Sequence, residues 1–362
     1  MRSQRNPDNE MASSIHQPQR DRKWSRRRPF RLLLSCAGRR VELMQTFRAA
    51  AERLGLPLRI YAADASWLAP AMHKADEAVL VPPVADAQFI PRLLRLVRTE
   101  QIDMLVPLLD TELIKISEAR EQFMRAGCLC VISSPAVVRT CRDKICTYEF
   151  LAAAGIDTPR TCTWAEAIRA RRHRFPYFMK PRHGSASRGN HVIRSLDELR
   201  VLGRSVPQPI VQEFVPGIEH TLDVYTGLDG KPCCAVPRRR LEVRGGEVVK
   251  AVVVKDQRLI DTGLQVARAL GECRGVITIQ LIVTPTGRIR VIEINPRFGG
   301  GAPLAIRAGA DFPRWLLQSA TGDIPRIRRD NFRNGVSMTR FDDSVFLLSG
   351  TQPLRRRPRL LP

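Results

Sequence analysis

From Phe30 onward the chain alternates short apolar runs with segments of helical spacing, and that alternation admits few folds. RLLLSCA reads as a buried strand, GRR as a turn, and VELMQTFRAAAERLG as a helix closed by its glycine. LRIYAAD is a second strand ending in Asp64, EAVLVPP a third, FIPRLLRLVRTEQ a helix and DMLVPLLD a strand. TELIKISEAREQFMRAG is a further helix, and CLCVISS closes the unit. Repeated βα units of this kind predict a parallel sheet with covering helices, a Rossmann-like domain over residues 29–134. Its first turn holds only Gly38 and no G-x-G-x-x-G, so NAD binding is unsupported. Gly38–Arg39–Arg40 and Asp110/Glu112 fall at the carboxyl ends of strands, where open parallel sheets bind ligands. Asp110 also suits a helix cap.

After residue 134 the pattern changes. Residues 135–159 read as one helical segment running to a Gly–x–x–x–Pro stop. FPYFMKP, NHVIR, PIVQEFV, HTLDVYTG, VITIQLIVT and RIRVIEIN are strands, with LDELRVLG and LIDTGLQVARALG helical among them. KPCCAVPRRRLEVRGGEVVKAVVV belongs to the same β-rich part, and GVSMTRFD is a last strand. This is α+β with antiparallel pairing, distinct from the first domain. Residues 1–28 are polar and aperiodic and are expected to form a disordered basic tail, with a second basic tail over 349–362.

The net charge of +23 needs an account. Residues 1–30 carry +5 and residues 351–362 carry +4, leaving +14 on the body. Such a field attracts polyanions and nucleotides alike. The basic residues are scattered arginines, and aromatics make up only 6%, too few for a stacking platform, so nucleic acid is expected to bind only non-specifically. No apolar run approaches the ~20 residues of a membrane span, and Leu32–Leu34 is too short for the core of an export signal. Nine cysteines without regular spacing argue for reduced thiols and a cytoplasmic protein, and against a zinc site.

Two stretches carry chemistry. VIEINPRFGGG, residues 291–301, puts Glu293 and Asn295 on one face of a strand, since residues i and i+2 point the same way. Two oxygen donors beside Arg297 suit a hard cation next to phosphate oxygens, or a capped strand end. FMKPRHGSASRGNHVI places Lys180 at the end of a strand and follows it with a small-residue loop. Backbone N–H groups of such a loop can approach phosphate closely, and Lys180 can reach the same oxygens. No Walker A motif occurs in the chain.

Taken in order, Lys144, Lys180 with its glycine loop, IVQEFVPGIEHTLDV, IQLIV and VIEINPR resemble the ATP-grasp superfamily. The likeness is to the branch holding the carbamoyl-phosphate synthetase large chain and stand-alone carboxylate–amine ligases, and covers roughly residues 30–345. It implies a Rossmann-like pre-grasp domain followed by a two-lobed ATP-grasp domain, an N-lobe over 135–207 and a C-lobe over 208–348. It implies that Lys144 and Lys180 contact nucleotide phosphates and that residues 184–189, with Gly184, Ser185, Ser187 and Gly189, form a lid. Glu213, Phe214 and Val215 would form the hinge that reads adenine, and Glu219 would take the ribose hydroxyls. Gln280, Glu293 and Asn295 would hold Mg²⁺, with Mn²⁺ as an alternative, and Arg297 would face the transferred phosphate. Gln280 is a weaker ligand than a carboxylate and leaves the number of metal ions open. Arg240 and Lys250 are the favoured additional cations, and a solvated basic hairpin is the other reading of that segment. The implied activity is an ATP-dependent ligase joining a small-molecule carboxylate to an amine through an acyl phosphate. Carbamoyl-phosphate-type synthesis or kinase chemistry on bicarbonate or carbamate stays open, as does a non-catalytic nucleotide- or nucleic-acid-binding role; a homodimer is compatible.

Overall fold

The computed structural model describes residues 28–184, 187–348 and 352–353. The expected tails over 1–28 and 349–362 lie almost wholly outside these residues, as does Ser185. Arg28, assigned to the first tail, is instead tied to Asp103 through paired guanidinium–carboxylate bonds of 2.6 and 2.8 Å.

The first sheet comprises β1 (Phe30–Ser35), β2 (Leu58–Asp64), β3 (Glu77–Leu80), β4 (Met104–Pro107) and β5 (Leu129–Cys130). All its pairs are parallel, in the order β3-β2-β1-β4-β5. The sheet is wound outward from β1 in both directions, so the carboxyl ends of β1 and β4 flank the switch point. Helices α1 (Val41–Arg53), α2 (Pro70–Lys74), α3 (Phe89–Thr99), α4 (Leu113–Glu118) and α5 (Arg120–Arg125) connect the strands. The single helix expected over TELIKISEAREQFMRAG is thus two, parted at Ala119.

The run expected as one helix over residues 135–159 is also broken. Helix α6 (Pro135–Arg142) ends at Asp143, whose backbone is extended, and α7 (Lys144–Ala153) begins immediately after. The Asp143 carboxylate accepts from the N–H groups of Ile145 and Cys146, satisfying orphan donors of α7. Apolar spacing continues across the break, which is why periodicity alone misses it.

Two antiparallel sheets follow. β6 (Thr161–Thr163), β7 (Tyr177–Pro181), β8 (His191–Ile193) and β9 (Pro209–Glu213) form a four-stranded sheet in the order β6-β9-β7-β8, with α8 (Trp164–Arg169) and α9 (Leu196–Gly203) upon it. Its core is small and separate, built on Met179, Ile193, Leu199 and Val211. β10 (Ile218–Thr226), β11 (Pro232–Arg244), β12 (Glu247–Val253), β13 (Gly275–Val283), β14 (Ile289–Asn295) and β15 (Ser337–Thr339) form the larger sheet, ordered β14-β13-β10-β11-β12-β15. Helices α10 (Gln257–Leu270), α11 (Ala302–Ala308) and α12 (Phe312–Thr321) complete this part.

One apolar core runs from β1 and α1 into the large sheet and α10–α12, with the Phe47 and Phe298 rings in edge contact. The first domain and the large sheet are therefore packed as one body, and the four-stranded lobe stands on its own core. No helix among the described residues is long and apolar enough to cross a membrane.

Candidate active site

Strand β10 alternates strictly. His220, Leu222 and Val224 lie on one face, and Leu222 and Val224 press on α10 at Gly263, where a Cβ would come within 2.9–3.1 Å of them. Glu219, Thr221 and Asp223 lie on the other face. Register carries that polar face across the sheet: Thr221 pairs with Gln280 and Asp223 with Thr278, then Gln280 with Glu293 and Thr278 with Asn295. Gln280, Glu293 and Asn295 therefore converge, and the Asn295 Nδ2 donates to Glu293 Oε1 at 3.2 Å. A bulge beside Gln280 absorbs Ile292 and keeps Glu293 in line.

The four-stranded lobe delivers Lys180, whereas Lys144 stands on α7, whose Leu151 joins the larger core. Lys144 is the first residue of α7, placed there by the break at Asp143, and its ammonium donates to the Gly184 carbonyl at 2.8 Å. Lys180, on β7, is 4% exposed. Burial pulls its pKa down to about 8; Glu293 and Glu219 oppose that pull and Lys144 adds to it. One cleft is lined by Asp110, Lys144, Gly184, Glu293, Asn295 and Pro296, so residues following strands of the parallel, the four-stranded and the six-stranded sheets meet there. In the loop between β7 and β8, Ser187 and Gly189 take positive φ of 56° and 72°, the tight turn that small residues permit.

The arginines are placed by carboxylates that lie far away in sequence. Arg297 grips Asp110 through Nε and Nη2 at 2.7 and 2.5 Å, and its Nη1 donates to the Phe298 carbonyl. Asp110 is therefore not a helix cap: it joins the first domain to the end of β14. Its neighbour Glu112 is fully buried, and one of its oxygens accepts from the N–H groups of Leu108 and Leu109. Arg238 and Asp223, 1% and 0% exposed, form a buried pair at 2.6 Å on the polar face.

Other expected residues are arranged differently. Arg240 donates to Glu219, the carboxylate expected to take ribose hydroxyls, and is itself 8% exposed. Lys250 is not brought to this cluster: its ammonium pairs with Glu242 at 2.7 Å on a half-exposed hairpin. Ala251, not Lys250, lies opposite Arg240, so strand alternation turns Lys250 to the other face, and a bulge in β11 sets it opposite Glu242. At the hinge the Glu213 side chain pairs with Arg290, and its N–H donates to the Arg160 carbonyl.

The donor set has a definite bias towards one kind of cation. Gln280, Glu293 and Asn295 offer oxygen but only one formal charge, and Arg240 holds the nearby Glu219. Among the described residues no three His, Cys, Asp or Glu side chains gather to hold a metal. The set fits a hard cation held jointly with phosphate oxygens, and not one held by protein alone.

Sequence reasoning missed Asp223 and the pairing of Asp110 with Arg297. Asp223 had a signal: it continues the Glu219, Thr221 alternation. The Asp110–Arg297 pair spans 187 positions and has none.

Two stability tests arise from this geometry. A Cβ at Gly301 would sit 2.3 Å from Arg238 Nη1 and 2.8 Å from Val248. Gly301→Ala is expected to displace the buried Arg238–Asp223 pair and cost about 3 kcal/mol or more in urea unfolding. The second concerns Glu112, whose carboxyl burial raises to about 7, against the neighbouring Ser35 hydroxyl and the hydrogen bonds from the Leu109 and Leu108 N–H groups, which lower it. Between an ordinary glutamate pKa of about 4.3 and about 7, the folded chain keeps a proton that the unfolded chain has lost, so stability falls as pH rises through that window. Glu112→Gln keeps the acceptor oxygen and removes the titration. Its melting temperature should lose that slope and exceed the wild type at pH 8, by up to about 3 kcal/mol of stability.

Comparisons with known proteins agree with this architecture. Residues 32–131 match the family model of the PylC-like N-terminal domain, and residues 141–301 match that of an ATP-grasp domain. The 3-methyl-D-ornithine–L-lysine ligase of Methanosarcina acetivorans is 27% identical over 212 residues, taking in 58% of this chain and 53% of the ligase. The carbamoyl phosphate synthase large chain of Bifidobacterium animalis is 25% identical over 260 residues, taking in 63% of this chain and 23% of the synthase. The chain thus spans about half the length of one of these relatives and about a quarter of the other. Among solved structures, the biotin carboxylase domain of Hydrogenobacter thermophilus 2-oxoglutarate carboxylase, in complex with MgADP, ADP and bicarbonate, superposes with a TM-score of 0.69 at 18% identity. That match covers 86% of this chain and 74% of the other, a likeness of fold.

Proposed function

From a chain that carries a PylC-like N-terminal domain and an ATP-grasp domain, we propose an ATP-dependent carboxylate–amine ligase that works through an acyl phosphate. The observation that carries the reading is the cleft in which Lys144, Gly184, Glu293 and Asn295 meet, with Lys180 close enough to feel Glu293. The resemblance to a stand-alone ligase supports an amine as acceptor.

In this reading the nucleotide lies between the two antiparallel sheets. The backbone of Phe214 and Val215 meets the adenine edge, and Glu219, oriented by Arg240, takes the ribose hydroxyls. Lys144 and Lys180 neutralise the phosphates, and Gly184, Ser187 and Gly189 bring backbone N–H groups to them. Gln280, Glu293 and Asn295 would hold Mg²⁺, which when bound would supply positive charge against the negative phosphates. The carboxylate oxygen of the acid attacks the γ-phosphorus, the bond to the bridging oxygen breaks, and ADP leaves. Two N–H protons of Arg297 remain outside its Asp110 and Phe298 bonds and face the charge that develops. The amine nitrogen then attacks the acyl carbon, inorganic phosphate leaves with the bonding pair, and the nitrogen releases a proton to form the amide. Phosphoryl transfer needs positioning and charge more than covalent help, and the cleft offers both. Arg240 acts here through Glu219, and Lys250 has no part.

ADP release should be measured with Mg²⁺ and ATP against pools of amino acids and small carboxylates. The proposal expects release only when an acid and an amine are both present. Release that needs bicarbonate and no amine would overturn it in favour of carbamoyl-phosphate-type chemistry.

A further inference from the structure

Near Arg297 the first domain and the large sheet bring several arginines together. Arg39 pairs with Glu247 at 3.2 Å. Arg340 donates to the carbonyls of Gly300 and Val248 and lies 3.7 Å from both Glu42 and Glu247. Arg297 is matched by Asp110. Arg40 makes no side-chain hydrogen bond or ion pair among the described residues: Arg297 and Arg340 repel it, while the nearby carboxylates of Glu247 and Asp110 attract it but are bonded to other arginines.

The sequence makes room for this group on purpose of shape. Arg40 follows β1 at the carboxyl edge of the parallel sheet, where α1 begins. A Cβ at Gly300 would lie 2.8 Å from Arg40 Nη1 and 3.8 Å from Arg340 Nη1, so the glycine lets both guanidinium groups close on the same point. Burial and the neighbouring Arg297 pull the Arg40 pKa down to about 10, a cost to the fold that a bound anion would relieve. Four arginines here share the Glu247 and Asp110 carboxylates, and the one that bonds to neither is costly to hold half-buried unless a ligand supplies a further negative charge.

We infer that Arg40, braced by Arg340 and Gly300, binds a second anionic group of the acid substrate, a carboxylate or a phosphate apart from the carboxylate that is activated. Asp110 lines the cleft and, with Arg297, is among the charges acting on Arg40, so one molecule would present its reacting carboxylate at Arg297 and its other anion at Arg40. This rests on the ligase reading for the identity of the molecule as substrate, but the anion site itself does not need nucleotide.

The test is calorimetric titration of the full chain, without nucleotide, with succinate, glutarate and phosphonoacetate, and with the monomethyl esters of the two diacids and acetate as monoanionic counterparts. The wild type should bind at least one dianion about tenfold or more tightly than its counterpart, the worth of one charge-assisted pair. Whether a diacid or phosphonoacetate shows the larger preference decides between carboxylate and phosphate. Arg40→Met should abolish the preference and leave ADP affinity unchanged, while Arg40→Lys should restore part of it. A wild type that prefers no dianion, or a preference that survives in Arg40→Met, overturns the inference. ADP titrated separately reads the nucleotide site: failure to bind ADP sinks the ligase reading and leaves the dianion result to be judged on its own.

Discussion

Replacing Glu293 by glutamine should abolish Mg²⁺-dependent ATP turnover while leaving the melting temperature close to the wild type. Glu293 lies opposite Gln280 on the polar face and accepts from Asn295, so glutamine keeps the volume and an acceptor oxygen. What disappears is the one formal charge among the three expected cation donors. Mg²⁺ binds charged oxygen far better than carboxamide oxygen, and a site left with three neutral donors depends on the phosphates alone. A loss of at least about a hundredfold in turnover is expected, about 2.7 kcal/mol of transition-state stabilisation. Lys180 also loses the carboxylate that favours its charged form, so its ammonium becomes costlier to bury. The measurements are steady-state ADP release over a range of Mg²⁺ and a thermal melt. Should the variant melt far below the wild type yet keep much of its turnover, Glu293 is a strand-end cap and the cation lies elsewhere.

What the sequence discloses and what it hides follow from the range of the forces involved. The Glu293–Asn295 convergence is legible because strand geometry fixes where residues two apart must point. The parallel sheet is legible because its strands are continuous apolar runs between helical patterns. Gln280 opposite Glu293 follows from a hairpin between neighbouring strands. Charges held by distant partners are not legible: nothing near Arg297 says that Asp110 will hold it, or that Arg238 will turn inward to Asp223. The bulge in β11 is equally silent, and it sets Lys250 opposite Glu242. The break at Asp143 is an intermediate case. An aspartate two residues before an N–H it can cap is a helix start signal, but an unbroken apolar pattern outweighed it.

Lys180 offers the opposite signature to Glu293, a residue that the empty protein would be better without. Its ammonium is almost wholly buried at the end of β7, and burial holds its pKa near 8, below lysine's ordinary value of about 10.4. Between those two values the unfolded chain binds a proton that the folded chain has lost, so stability rises with pH across that window. Below about pH 8 both forms are charged and the fold carries the full cost, about 3 kcal/mol. Lys180→Met, similar in length and uncharged, should therefore raise stability at pH 7 and remove the rise between pH 8 and 10. If the lysine exists to meet phosphate, the same variant must bind ATP more weakly, by roughly 10- to 100-fold for a lost charged hydrogen bond, and adenosine equally well. In the wild type, phosphate arriving beside Lys180 returns its pKa upward, so ATP binding near pH 8.5 should take up a proton. Calorimetry in buffers of different ionisation enthalpy reads that uptake, which Lys180→Met should abolish. Equal losses for ATP and adenosine, or a variant less stable than the wild type at pH 7, would place Lys180 in the structure of the lobe and away from the phosphates.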